Sequence, residues 1–503
     1  MTNKYTSVHP QIAIQSVLRP ALIPVSANKD FEEFKQIIEE TDAALIAAGL
    51  EDLAVTMALE NLQKIAPYAD SNTKVRHARK AIKALRTNVL KTMLRGISDR
   101  ALSVAVYRSE LLADFCRVLE IDGIRGLSKS EVNRMLNFFS EEQVRFFHER
   151  LTEVSTGAGS CKTIGLENPV DSSLTFFDST CLEANIHYPV DWVLLKDVSL
   201  TLLKGIKLLR KAGLFCRMPQ SPEDFAREMN KLCIEMTHSA RRKDSKKLRK
   251  EVLQHMKKLL TTIGGHGERY RKLLIKRWAE TEYTEAQKDQ IVARLSDMLD
   301  KLPKVKKQAH ERIIGGRQVP NSEKILSVYE DDVQVIVRRK AGKAVEFGNT
   351  LMICEGMHGY ILDWKLYRET APSESLQLAE SLDRLEAMNL EEPVIAACTD
   401  RGFNSNQTRK VLRERKIYDA TCPRDPAELK ERLNRDDVFP GLQRRRASTE
   451  ARIAILRQKQ GGRLRVKGFI RRSLAVGWSV IGHNLWLISR LLAQQDRQAK
   501  AAA

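Results

Sequence analysis

Apolar residues recur at three- and four-residue spacing in "FEEFKQIIEETDAALIAAGL" and "RALSVAVYRSELLADFCRVL", so residues 31–115 read as successive helices. "GIRGLSKSEVNRMLNFFS" follows, where Ser128 or Ser130 can cap a short basic helix after a glycine turn. That order suits either a helix-turn-helix or a plain helical bundle. Residues 152–173 are rich in Gly, Ser and Thr and read as a linker. The short apolar run "SLTFFD" then predicts a strand that ends at Asp178. Residues 191–315 return to helical spacing, with basic stretches such as "RRKDSKKLRKEVLQHMKKLL" and "ERYRKLLIKRW".

From about residue 325 the period changes to that of strands. "VQVIVRR", "AVEFGNTLMICE" and "GYILDWKLY" are three, the last two joined by a hairpin turn at "GMHG". "PSESLQLAESLDRLEAM" predicts a helix, and "PVIAACTD" a strand buried on both faces. "NSNQTRKVLRERK" is helical, "IYDATC" is a further strand, and long helices complete the chain. This order predicts an α/β mixed sheet with helices on both faces, its first strand separated from the others by a helical insert. The domains expected are a helical N-terminal domain over 1–150 that binds DNA, a sheet domain over 174–196 and 325–490, an insert over 197–324 and a tail over 491–503. The apolar stretch 474–493 is long enough to span a bilayer, but His483, Asn484 and Arg490 make it a buried core helix instead. No membrane anchor is expected, and residues 1–15 lack the pattern of a signal peptide.

Charge narrows the partner. The chain has 84 Lys and Arg against 64 Asp and Glu, a formal net charge of +20. Such an excess favours a polyanion, with nucleic acid ahead of an anionic membrane surface. The eight cysteines are scattered without a CxxC pair, which argues against structural zinc and suits reduced thiols in a cytoplasmic protein.

The candidate chemistry is acidic. Asp178 and Asp400 both close apolar strand runs, and in open α/β sheets functional side chains leave the packed layer at carboxyl ends of strands. A third acid comes from "RRRASTEARIAILRQKQGG", where Arg446, Glu450 and Arg457 span close to three helical turns and share one face. Carboxylates from distant segments can hold Mg²⁺, and a pair of such ions serves phosphodiester displacement. Strand-end aspartates also cap helices and fix turns, so spacing alone does not make a triad. His187 suits either a phosphate contact or a bond to loop backbone. Lys340, Lys343, Arg463, Arg465 and Lys467 are candidate DNA contacts.

The segments "FFDSTCLEANIHYP", "KAGKAVEFGNTLMICEGMHGYILDW", "CTDRGFNSNQT" and "RRRASTEARIAILRQKQGGRLRVKGF…VGWSVIGHNLW" resemble the DDE transposases of bacterial insertion sequences. The resemblance runs from about 174 to 490 apart from the insert, and 95–150 looks like that family's N-terminal helical domain. It implies a ribonuclease-H-like catalytic domain, Asp178, Asp400 and Glu450 as the triad, and two Mg²⁺ ions, with Mn²⁺ as a substitute. Arg446 matches the Arg of a Tyr–Arg–Glu–Lys signature, Gln443 stands at the Tyr and Arg457 at the Lys. The implied activity is cleavage and strand transfer of an insertion sequence. The implied partners are terminal inverted repeats, target DNA and further copies of the chain in a dimer or higher oligomer, at the nucleoid. A ribonuclease-H-like nuclease without strand transfer and a non-catalytic DNA-binding protein are the alternatives.

Overall fold

The computed structural model describes residues 22, 28–120, 122–239, 242–321, 323–340, 343–459 and 464–502. The chain divides into two compact units: unit 1 is Met1–Ala184 with Asn349–Ala503, and unit 2 is Asn185–Gly348. The insert thus begins earlier and ends later than the helical pattern alone suggests, because two strand segments go with its helices.

Unit 1 opens with α1 (Lys29–Ala47), α2 (Leu50–Ile65) and α3 (Ser71–Met93). The next helical stretch is two helices, α4 (Asp99–Arg108) and α5 (Glu110–Phe115), because Ser109 adopts extended backbone and caps the second through Leu112 N–H. A two-strand hairpin, β1 (Leu119–Glu120) with β2 (Gly123–Ile124), precedes α6 (Lys129–Leu136), which Ser128 starts with a capping box to Glu131. A hairpin between α5 and α6 is not the three- to four-residue turn of a helix-turn-helix. The next helix, α7 (Glu141–Thr156), buries Val144, Phe147, His148 and Leu151 and is a core element. The expected linker is also folded: Cys161, Ile164, Leu166 and Val170 are all buried. These helices share one hydrophobic core with Phe177, Ala397, Leu378 and Leu412 of the sheet region, so residues 1–150 do not form a separate domain.

After α7 comes β3 (Leu174–Glu183), and the chain then enters unit 2: α8 (Asp191–Lys211), α9 (Pro222–Ser239), α10 (Ser245–Arg277) and α11 (Glu285–Ile313). Their apolar faces close a second core around Leu202, Met229, Leu260 and Met298. Unit 2 also holds β4 (Gln334–Lys340), antiparallel to the first half of β5 (Lys343–Glu355).

β5 carries the chain back into unit 1, where β6 (Ile361–Leu366) pairs with it antiparallel. Then follow α12 (Glu374–Ala387), β7 (Ala396–Thr399), α13 (Asn406–Glu414), β8 (Tyr418–Thr421), α14 (Pro426–Arg435), α15 (Phe439–Lys459) and α16 (Phe469–Ala502). Across the sheet β5, β3, β7 and β8 follow one another, and the β3–β7 and β7–β8 pairs are parallel. Strand periodicity separates its faces. Phe177 and Ala397 join the core shared with α12 and α13, whereas Phe176, Ala396, Cys398 and Ala420 meet Phe439 and Leu442 of α15. The sheet is mixed and has helices on both faces.

The apolar stretch 474–493 lies inside α16 as a core helix. His483 Nε2–H donates to the Gly359 carbonyl at 3.0 Å, and Asn484 both accepts from Ile361 N–H and donates to its carbonyl. Among the described residues no helix is long and apolar enough to cross a membrane.

Candidate active site

Asp178 lies in the middle of β3 and not at its end. β3 runs on to Glu183 because it also pairs with β5, while its ladder with β7 is last in register at Phe176↔Cys398. Continuing that register by two residues sets Asp178 level with Asp400, the residue just beyond β7. Both are on the face that α15 covers, since Phe176 and Cys398 point the same way. Asp178 accepts from Ser179 N–H at 2.7 Å. Asp400 accepts from Gly402 N–H at 2.9 Å and so caps the one-turn 3₁₀ helix Arg401–Phe403.

α15 brings the third acid. Its first turns rest on Phe176 through Phe439 and Leu442, and Ile453 and Leu456 pack with Leu182 farther along β3. Between those two anchor points lie Arg446 and Glu450, the latter exposed. The effect converges on Asp178, whose carboxyl is pushed up to about 6. Burial is the largest cause, followed by the negative charge of Asp400; Arg446 opposes the rise and Glu450 adds to it. Glu450 and Asp400 therefore act on Asp178, and Arg446 lies within electrostatic reach of it.

Two further groups hold this geometry: Glu355, which the sequence does not single out, and Gln443, which it marks only as standing at the Tyr of the signature. Glu355, at the end of β5, is fully buried. It accepts from Arg445 at 2.9 Å, Arg452 at 2.9 Å and Thr449 at 2.8 Å, all three from α15. Arg445 further donates to the carbonyls of Gly356 and Met357, and its guanidinium lies over the Phe176 ring. Gly359 must be glycine here: its φ is +84°, and a Cβ would run into the Arg452 guanidinium. This clamp fixes α15 on the sheet. The only signal is the run of arginines at 445, 446 and 452, and nothing in the sequence pairs them with Glu355.

Gln443 is the second. Its amide donates to the carbonyls of Thr399 at 3.2 Å and Ala420 at 2.6 Å, joining the carboxyl ends of β7 and β8. Its Oε1 accepts from Arg446 Nε at 3.3 Å. Gln443 thus takes a strand-end role and holds Arg446 on the side of Asp178.

The remaining sequence candidates fall in different places. Arg457 donates to the Thr180 hydroxyl at 2.9 Å and to the Cys181 carbonyl at 2.7 Å, so it ties α15 to β3. Arg465 and Lys467 are exposed between α15 and α16, and Arg463 lies outside the described residues. Lys340 and Lys343 face each other in register across the β4–β5 ladder in unit 2. His187 meets Asp197 at 3.2 Å, also within unit 2.

The donor set suits a hard divalent cation: carboxylate oxygens, with negative charge concentrated around a half-buried Asp178. Among the described residues no group of three or more His, Cys, Asp or Glu side chains stands at metal-holding spacing. Asp178 and Asp400 are fixed by their backbone bonds, whereas exposed Glu450 has rotamers to explore. No family model, no curated protein and no solved structure matches the chain.

Proposed function

We propose that the protein is a DDE transposase, which cuts DNA at the ends of an insertion sequence and joins them to target DNA in a metal-dependent reaction. One observation carries the reading: Asp400, just beyond one strand, and Glu450, on a helix, both act on the carboxyl of Asp178 at the carboxyl end of a parallel ladder, although the three are far apart in sequence. The mixed sheet with helices on both faces agrees with a ribonuclease-H-like domain.

In this reading Asp178, Asp400 and Glu450 hold the divalent ions. Bound Mg²⁺ supplies charge that activates an attacking hydroxyl and offsets the leaving oxygen in phosphodiester displacement. The protein's own groups do the rest. Burial and Asp400 raise the cost of an ionised Asp178, so near pH 6 it retains a proton that cation binding would release. Arg446, held by Gln443, offers a guanidinium to the DNA backbone beside the acids. The Glu355 clamp keeps in place the α15 backbone that carries Glu450, which would be one of the groups holding the ions. DNA ends, target DNA and further copies of the chain are the partners this activity requires.

Incubation with Mg²⁺ and the genomic DNA flanking the protein's own gene tests the proposal. Joined products support it. Nicks without joining point to a nuclease, and binding without cleavage to a DNA-binding protein; either would overturn it.

A further inference from the structure

The net charge is unevenly distributed. Residues 185–348 carry 35 Lys and Arg against 21 Asp and Glu, so a unit of about one third of the chain holds +14 of the +20. α10 organises part of this excess. At 100° per residue Lys247, Lys258, Arg269 and Lys276 fall within about 40° of one another, and all four are exposed. They extend over about 44 Å at 1.5 Å per residue. Glu251 is the one acid on that line; Val252, Met256, Leu260, Ile263 and Leu274 occupy the opposite, buried side.

Beside the line, α10 and α11 build a cation cluster. Lys257 Nζ stands 3.4 Å from His310 Nδ1, and Lys306 Nζ donates to Thr261 Oγ1 at 2.6 Å. The Lys306 ammonium is disfavoured by its burial and by the charge of Lys257. Neither lysine forms an ion pair among the described residues. Like charges brought together without a carboxylate lose stability unless an anion joins them.

We infer that unit 2 is a docking surface for the phosphodiester backbone of double-stranded DNA, running along α10 with a phosphate seated at Lys257, Lys306 and His310. The inference rests on the DNA-processing reading above and adds where the duplex is held. A line of about 44 Å exceeds one helical turn of duplex, about 34 Å. Its charges are mostly lysines, which act as point charges on phosphates. No aromatic residue shares the line, so bases have no stacking platform there, and the surface takes duplex backbone without reading sequence.

The test measures affinity of the full-length protein for a 30-base-pair duplex of arbitrary sequence, by fluorescence anisotropy across a KCl series. Combined Lys257→Gln, Lys306→Gln and His310→Gln should flatten the log–log salt slope by about 0.9, the change expected for one phosphate no longer neutralised. Lys257→Arg with Lys306→Arg should keep the wild-type slope. An unchanged slope in the Gln variant, or equal flattening in the Gln and Arg variants, overturns the inference. So does wild-type binding to phosphatidylserine vesicles in place of duplex. The catalytic reading fails separately: an unchanged slope with intact strand joining removes the surface alone. A flattened slope in a wild-type protein that never cleaves DNA supports the surface and removes the transposase.

Discussion

Replacing Asp178 with Asn should stabilise the metal-free protein at neutral pH. In the folded state this carboxyl titrates near 6 instead of 3.8, because it is buried beside Asp400 with Glu450 adding to the repulsion. An acid raised in this way prefers its protonated form in the native state. The native state therefore loses stability as pH climbs past the unfolded value near 3.8, and the loss is complete above about 6. At about 1.36 kcal/mol per pH unit the penalty reaches about 3 kcal/mol, an upper value since solvent screens part of it. Asn removes the charge and retains an oxygen for Ser179 N–H. With unfolding entropy of about 2.1 cal/mol/K per residue over the roughly 340 residues of unit 1, the gain is about 4 °C in melting temperature. Calorimetry from pH 4 to pH 8 is the assay: the two proteins should melt together near pH 4 and diverge through pH 6. Added Mg²⁺ should then raise the wild type more than the variant. A variant that melts at or below wild type at pH 7.5, or a gap that does not depend on pH, would refute the electrostatic account of the site.

Glu355→Gln should destabilise unit 1 by about 3–5 kcal/mol, because it leaves the Arg445 and Arg452 guanidinium groups without their buried carboxylate. The same calorimetry should find unit 1 melting about 4–7 °C lower. Arg446→Ala should lower strand joining about tenfold and push the pH midpoint of the Asp178 transition above 6, since Arg446 favours the ionised carboxylate. Gln443→Ala should shift that midpoint the same way and cost about 1–3 kcal/mol for the carbonyls left at Thr399 and Ala420. A midpoint that stays at 6 in both variants would remove Arg446 from the site.

Much of the sheet is legible in the chain because its signals are local. Alternation and short apolar runs mark β5, β6, β7 and β8, and the polar residues His483 and Asn484 mark α16 as a core helix. The end of β3 is not legible, for a physical reason: the apolar run stops at Phe177, but the strand continues through Ser179 and Thr180 because β5 supplies hydrogen bonds on its other side. Such pairing has no local signature. The Gly- and Ser-rich stretch 152–173 looks like a linker because its buried residues follow no single period and several of them, Thr152, Ser155, Thr156 and Ser172, are polar. The N-terminal helices look like a domain of their own because amphipathic spacing reveals a buried face and not its partner, here chiefly α16 from the other end of the chain. Arg446 and Arg457 share a helical face, yet one turns toward the acids and the other to the β3 backbone; the difference comes from β3, not from the helix.

The central claim is that three carboxylates form one metal-dependent site for phosphodiester chemistry. Strand joining by Asp178→Asn, Asp400→Asn and Glu450→Gln, each compared with wild type in Mg²⁺ on the same DNA ends, tests it most directly. All three variants should bind duplex as wild type does and join no detectable strands. Cleavage or joining within tenfold of wild type in any one of them would contradict the account.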